Sequence, residues 1–477
     1  MSEPIVRTSS GAVRGRETGG VASFKGVPFA RPPFGEHRMR APAPAEPWDG
    51  VREADAFGPR PPQHEGGPGM RPWSSGEGLD CLTVNVWTPD PGGSGLPVMV
   101  WIYGGAYISG WSGMPEYDGT RLAAAGVVVV SFDHRVGMEG FGQVPGVPAN
   151  RGLLDQVAAL RWVRENIAAF GGDPDLVTVF GESAGAGGVA SLMVMPSARG
   201  LFRRAIAQSV PGTFFSAEYA GRVGAAITAL LPGGNPLEAA PEAVIEAASA
   251  FMTKVMPGDV ETWGPIALTP TCFSPVVDGE VLPVTPWEGL ARGDAAGVEL
   301  VAGFNRDEYA LFTAMDPTLD LDARLPVALA ALAPDGAAEL YRGDARAAYT
   351  ALMSDWLFRM PSALLADAHR GTTYAYELTW SPSPLGACHA LDLPLTFGVL
   401  DGDFARMLTG GSPDAANLSE QFRAAWTAFA RTGDPGWPRH DADTAVTHLF
   451  DVTPSDVPDP EAASRALWGP RGFPPVD

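Results

Sequence analysis

Hydrophobic positions along the chain fall into two alternating kinds of run. Short, nearly continuous apolar stretches recur at "LTVNVWTP" (82–89), "LPVMVWIYG" (96–104), "GVVVVSFDHR" (126–135), "DLVTVF" (175–180), "VELVAGF" (298–304) and "TTYAYELTW" (372–380). Their length and valine content predict strands, and several lack polar alternation, which predicts burial on both faces. Between them the period becomes three and four. In "RGLLDQVAALRWVRENIAAFGGDP" (151–174), Leu153, Val157, Leu160, Val163, Ile167 and Phe170 share one helical face, and Gly171-Gly172 followed by Pro174 supplies a stop. "SEQFRAAWTAFARTGDP" (419–435) reads as a further amphipathic helix closed by Gly433 and Pro435. Alternating strands and helices make the fold class α/β, with helices flanking a mostly parallel sheet. Residues 215–256 read as mostly helical and break the rhythm, so a cap-like insertion is expected around 212–260 within one domain over 1–477. The Pro/Gly-rich stretch "GPRPPQHEGGPGMRPW" (58–73) reads as a long surface loop.

Composition narrows the partners. With 33 basic against 55 acidic residues the net charge is −22, which argues against nucleic acid, whose phosphates need clustered Lys and Arg. The start, "MSEPIVRTSSGAVRG", has no apolar core of the signal-peptide kind, and no run of 18 apolar residues suggests a membrane span. Cys81, Cys272 and Cys388 are scattered and odd in number, giving neither a disulfide framework nor a metal spacing. A reducing cytoplasm, no membrane and a monomer are the expectations.

The chemistry centres on "VFGESAGAGG" (179–188), where a strand ends, Ser183 sits between Gly181 and Gly185, and a Gly/Ala-rich helix begins. Gly-x-Ser-x-Gly alone carries little weight in a chain with 58 glycines, where a Gly-rich turn with a capping serine is the plain alternative. The strand–turn–helix context is what makes it a nucleophile elbow: the two glycines let strand and helix pass closely while the hydroxyl is pushed out over the helix N-terminus. A serine needs a base and an orienting acid, in the chain order Ser, Asp/Glu, His. Of seven histidines, His37, His64 and His134 precede the serine, and His440 and His448 fall in the tail beyond the last expected strand. His369 lies at a helix end; His389 lies in a loop after strand 372–380, where functional groups of open α/β sheets gather. For the acid, Asp307 and Glu308 both follow strand 298–304, and spacing does not separate them. Gly104, Gly105 and Ala106, after strand 96–104, and Ala184, after the serine, can offer N–H groups to an oxyanion.

Eight segments in order resemble type-B carboxylesterases, the α/β-hydrolase family of the bacterial nitrobenzyl esterases and the cholinesterases. They are "FKGVPFARPP" (24–33), "DCLTVNVWTP" (80–89), "VMVWIYGGAYISG" (98–110), "NRGLLDQVAALRWVRENIAAFGGDP" (150–174), the serine segment, "SPVVDGEVLP" (274–283), "GFNRDEYALF" (303–312) and "CHALDLPLTFG" (388–398). The resemblance implies an α/β-hydrolase fold and a Ser183–His389–Glu308 triad, with Glu308 and not Asp307 as the acid. It also implies oxyanion donors at Gly105, Ala106 and Ala184, and Ser209 as a partner behind the triad. The implied activity is hydrolysis of small carboxylic esters, of short-to-medium acyl or aryl kind, without metal or cofactor. Amidase, lactonase or acyltransferase chemistry on the same triad, and a catalytically dead binding module, are the rivals. Leu79 stands where the family usually has an acid, which removes a partner expected for Arg31, and Cys81 lacks the partner it has in secreted members. Activity is expected to fall as pH drops through the histidine pKa, near 6.5 when unperturbed.

Overall fold

The computed structural model describes residues 3–64 and 71–477. Residues 65–70 of the loop expected over 58–73, and residues 1–2, lie outside the described residues. The main sheet has eleven strands among the described residues: β1 (Arg16–Thr18), β2 (Val21–Pro28), β3 (Thr83–Thr88), β4 (Leu96–Ile102), β5 (Val128–Phe132), β6 (Gly172–Glu182), β7 (Arg204–Gln208), β8 (Glu299–Asn305), β9 (Thr373–Leu378), β10 (Val446–Phe450) and β11 (Ser455–Pro458). In space they run β11-β10-β9-β8-β7-β6-β4-β5-β3-β2-β1. From β10 to β5 the pairings are parallel. The pairings at both edges are antiparallel. This is the mostly parallel α/β-hydrolase arrangement that the sequence implied. A side sheet of Ile5–Arg7, Ala12–Arg14 and Val51–Glu53 stands apart from it.

The apolar runs are buried on both faces because successive side chains point opposite ways. Val98, Val100 and Ile102 of β4 and Val128 and Val130 of β5 join one core cluster; Met99 and Trp101 of β4 and Val129 of β5 join the other. Helix α1 (Arg151–Asn166) covers the first face with Leu153, Val157, Leu160 and Val163, then tightens through a 3-10 turn to Gly171, whose φ of 87° ends it. Pro174 lies within β6 and not in a helix stop, because β6 begins at Gly172, earlier than its apolar run suggests. At the start of α1 a fully buried ion pair ties helix to sheet: Arg135, just past β5, gives Nε and Nη2 to the two carboxylate oxygens of Asp155 at 2.8 and 2.7 Å.

Helix α2 (Ala184–Val194) follows β6. Within 212–260 lie α3 (Ala217–Leu230), α4 (Pro241–Ala250), a π turn over Phe251–Val255 and the start of a short helix at Val260. Helices α5 (Leu321–Leu332) and α6 (Ala345–Ser354) come between β8 and β9, and α7 (Ala415–Thr432) between β9 and β10, ending at Gly433. The sheet goes further than expected: His448, assigned to a tail, sits in β10 paired parallel to β9. "VTHLF" is five residues of mixed burial, too short and too irregular to signal a strand. Among the described residues no helix is long and apolar enough to cross a membrane.

Candidate active site

Each candidate side chain follows the carboxyl end of a parallel strand, so the sheet brings distant segments to one edge. β6 ends at Glu182 and the next residue, Ser183, has φ 57° and ψ −126°, a conformation that costs an L-residue of order 1–3 kcal/mol and is kept only where surroundings enforce it. The enforcement is visible in the two glycines. A methyl on Gly185 would stand 2.0 Å from the Ile102 carbonyl oxygen, and one on Gly181 would stand 2.7 Å from the Gly185 carbonyl. The Ser183 N–H donates to the Gln208 carbonyl of β7 at 2.9 Å, and α2 starts at the next residue.

Two further strands deliver the base and the acid. Glu308, fully buried, lies three residues beyond β8, and its Oε2 accepts from His389 Nδ1 at 2.5 Å. Its Oε1 accepts from the Ser209 hydroxyl at 2.5 Å and the Asn305 N–H at 2.9 Å. Asp307 points elsewhere: its Oδ2 accepts the Ala387 N–H at 2.9 Å and pairs with Arg306 at 3.1 Å. The neighbouring carboxylates that spacing left equivalent are thus separated by geometry, one on the imidazole and one pinning the loop that carries it. His389 is the histidine that meets Glu308. His369 is occupied by Thr373 Oγ1 and the Ala295 carbonyl, His440 by Asp367, His448 by Asp456 and His64 by Ser249.

The far nitrogen of the imidazole has an unexpected neighbour. His389 Nε2 lies 3.1 Å from Glu182 Oε1, the residue before the serine, and makes no hydrogen bond to Ser183 Oγ. Glu182 is buried, and burial pushes its carboxyl up to about 8 against the pull of His389. Burial also draws the imidazole down, but Glu182 and then Glu308 outweigh it and hold His389 up at about 9. Neither Glu182 nor the aromatic pair at this ring was anticipated. Phe358 stacks on the imidazole with centroids 4.2 Å apart, and Phe312 stands 5.2 Å away. Glu182 was hidden as the variable letter of the serine motif; Phe358 comes from a helix more than 150 residues later in the chain. Asp392, three residues past His389, is a buried hub: it accepts from Gln208 Nε2 at 2.7 Å and from Asn305 Nδ2 at 3.3 Å. Asn305 Nδ2 also donates to the Cys388 carbonyl at 2.9 Å, so the segments bearing serine, acid and histidine share one network.

The glycine-rich loop after β4 carries three successive residues with positive φ: Gly105 (117°), Ala106 (55°) and Tyr107 (61°). The N–H groups of Gly105 and Ala106 have no hydrogen-bond acceptor among the described residues, while the Gly105 carbonyl accepts from Ile108 and Ser109. Ala184 is the first residue of α2, where the N–H has no intrahelical partner. Tyr107 and Trp380 are buried, Tyr107 against Phe141 and Trp380 in the cluster on the other sheet face. Arg31, without an acid at Leu79, pairs with Glu46 at 3.1 Å. The three cysteines are buried free thiols.

Comparison with known proteins points to one family. A model of the carboxylesterase family matches residues 2–324 and 335–449. The chain is 38% identical to the para-nitrobenzyl esterase of Bacillus subtilis (strain 168), covering 98% of each protein. It is 36% identical to the phenmedipham hydrolase of Pseudarthrobacter oxydans, covering 93% of this chain and 94% of that one. Among solved structures, a PNB esterase superposes with a TM-score of 0.85 at 37% identity, covering 98% of this chain and 100% of that one. A Geobacillus stearothermophilus carboxylesterase superposes with a TM-score of 0.85 at 34% identity, covering 97% and 99%.

Proposed function

The chain belongs to the carboxylesterase family and is a carboxylic ester hydrolase, and from that premise we propose that it works by acyl transfer through Ser183, His389 and Glu308. The observation that carries this reading is the contact of Glu308 Oε2 with His389 Nδ1 at 2.5 Å beside a serine held at φ 57°. With Glu308 Oε2 accepting from Nδ1–H, the neutral imidazole keeps its lone pair on Nε2, and raising pH toward about 9 supplies that neutral form. His389 turns Nε2 from Glu182 to Ser183 as substrate arrives, and such bonds commonly tighten only in the complex. Oγ attacks the ester carbonyl, and Nε2 takes its proton. The oxyanion is held by the N–H groups of Gly105, Ala106 and Ala184, each worth about 10²–10³ in rate by analogy with other oxyanion holes. The alcohol leaves with the proton from Nε2. Water then attacks the acyl-serine, giving a proton to the same nitrogen; the bond from the acyl carbon to Oγ breaks as Oγ takes that proton back, and the acid departs.

Ser209 acts from behind, holding Glu308 through the 2.5 Å hydrogen bond to Oε1. The helices of 212–260 serve as a cap, and neighbouring residues reach the oxyanion loop: Thr271 Oγ1 donates to the Ala106 carbonyl at 2.7 Å. A relative named a para-nitrobenzyl esterase favours aryl-bearing esters as substrates, and the proposal extends to short-to-medium acyl groups. The test is Ser183→Ala assayed on p-nitrophenyl butyrate. The reading expects turnover at or near the uncatalysed rate with folding intact; hydrolysis at the wild-type rate refutes it.

A further inference from the structure

One hydrogen bond at a ring nitrogen does not fix an imidazole fully. Nδ1 is bonded to Glu308 and Nε2 stands 3.1 Å from Glu182 Oε1, while the ring can still tip by turning about its Cα–Cβ and Cβ–Cγ bonds. A flat group against its face opposes that motion. Phe358 lies there, 4.2 Å away and inclined by 27°, and Phe312 stands beside it, its ring stacked on Phe358 at 6.0 Å and 11°. The two phenyls form a corner around the imidazole.

The backbone has been deformed to put Phe358 there. Helix α6 does not end at Ser354; it widens into a π turn over Asp355–Arg359, with the Met360 N–H reaching back to the Asp355 carbonyl, and then continues as Met360–Ala368. Such turns are rare and gather at functional sites. The cause is Pro361, which has no N–H to give the Leu357 carbonyl. That carbonyl turns outward and accepts the Gly212 N–H at 2.8 Å. Ser362 Oγ accepts the Val210 N–H and Ser354 Oγ accepts the Tyr309 N–H, both at 2.9 Å. Val210 follows Ser209 and Tyr309 follows Glu308, so the π turn is stitched to the backbone on both sides of the acid. From behind, Asp355 is clamped by Tyr341 Oη (2.8 Å), Ser464 Oγ (2.7 Å) and Arg359 Nε (3.3 Å). Trp468 Nε1 in turn donates to Tyr341 Oη at 2.7 Å.

We propose that Phe358, with Phe312 beside it, is a positioning residue for His389, holding the imidazole in the plane in which Nε2 leaves Glu182 and reaches Ser183. This rests on the triad reading above. A flat wall permits sliding within the ring plane and opposes tipping, whereas an aliphatic side chain of similar volume fills the space without supplying a plane.

The experiment compares Phe358→Leu, Phe358→Tyr and Phe312→Leu with wild type on p-nitrophenyl butyrate across pH, with thermal melts to verify folding and Ser183→Ala alongside. Misplacing a reacting group by about 1 Å can cost ~10² in rate. For Phe358→Leu we therefore expect kcat to fall ~10- to 100-fold with KM within about 3-fold, since the lost interaction belongs to the chemical step. Its acid limb should move to lower pH as the tipped ring loses its two carboxylates, and Phe358→Tyr should recover both properties. Equal losses in the Leu and Tyr variants, or an unchanged kcat and acid limb in Phe358→Leu, overturn the proposal. If Phe358→Leu does not fold, the half-buried Phe312→Leu decides the matter by the same pH limb. An active Ser183→Ala would instead sink the triad reading itself, whichever way the phenylalanine variants behave.

Discussion

Exchange of Glu308 for Gln isolates the role of one charge, because the amide has nearly the same shape. The site offers it no comfortable orientation. If its oxygen faces His389, its NH2 faces the Ser209 hydroxyl and the Asn305 N–H, which now stand 2.5 and 2.9 Å from Oε1. The hydroxyl can rotate to accept, but the backbone N–H cannot, so two donors oppose each other in a fully buried place. If the amide flips, its NH2 faces Nδ1, which must then become the acceptor, and the histidine proton moves to Nε2, where no base remains for Ser183. A buried donor without an acceptor costs about 1–3 kcal/mol, which is roughly 5- to 150-fold in the competent form. To that is added the loss of a negative charge 2.5 Å from the imidazolium that forms during reaction. In the serine-protease template the corresponding change of acid to amide costs about 10⁴. We therefore expect kcat on p-nitrophenyl butyrate to fall ~10³- to 10⁴-fold with KM nearly constant, measured at pH 8 on enzyme whose folded fraction is established by circular dichroism. Asp307→Asn, which can still accept the Ala387 N–H, should lose less than ~10-fold. The reasoning is refuted if the order is reversed, or if Glu308→Gln keeps more than about a tenth of wild-type activity.

Other consequences are equally open to measurement. His389 is held up at about 9, with Glu182 the largest force raising it, so kcat/KM should climb with pH well above 6.5. Glu182→Gln should shift that acid limb toward lower pH, and an unmoved limb contradicts the contact. The same shift stabilises the fold fully below about pH 6.5 and is lost as pH rises through about 9, so wild type should lose stability over that window more steeply than His389→Gln. Gly185→Ala pushes a methyl to within 2.0 Å of the Ile102 carbonyl, and overpacking of this kind costs about 1–3 kcal/mol or more; its melting temperature should drop and its activity with it. Asp155→Asn leaves the buried Arg135 guanidinium without its counter-charge, at a cost of about 3–5 kcal/mol, read as a lowered urea midpoint.

The parts of this molecule legible in its sequence are those encoded by local pattern. Val98 to Ile102 and Val128 to Val130 announce doubly buried strands because each residue in the run meets a core, and Gly181 and Gly185 announce a tight elbow because no side chain fits there. What stayed hidden depends on long-range placement. Asp307 and Glu308 are adjacent letters whose side chains diverge only once the His389 loop is laid against β8. Glu182 was in plain view within the serine motif, yet nothing local says that its carboxyl will meet an imidazole from residue 389. Phe358 requires Pro361 to open a helix and Gly212 to receive the freed carbonyl. Strand β10 escaped notice because an outer strand shares its burden of burial with few neighbours.

The reacting edge gathers three acidic side chains, Glu182, Glu308 and Asp392, around a single imidazole, in a chain already strongly anionic. An ester enters such a place carrying no charge and meets little resistance. On the proposed mechanism the released acid ionises beside Glu182, whose carboxyl burial has pushed up to about 8, so repulsion between the two grows as pH rises through that value. Under that mechanism alkaline conditions hasten the departure of one product by repulsion, while the neutral alcohol leaves by diffusion alone.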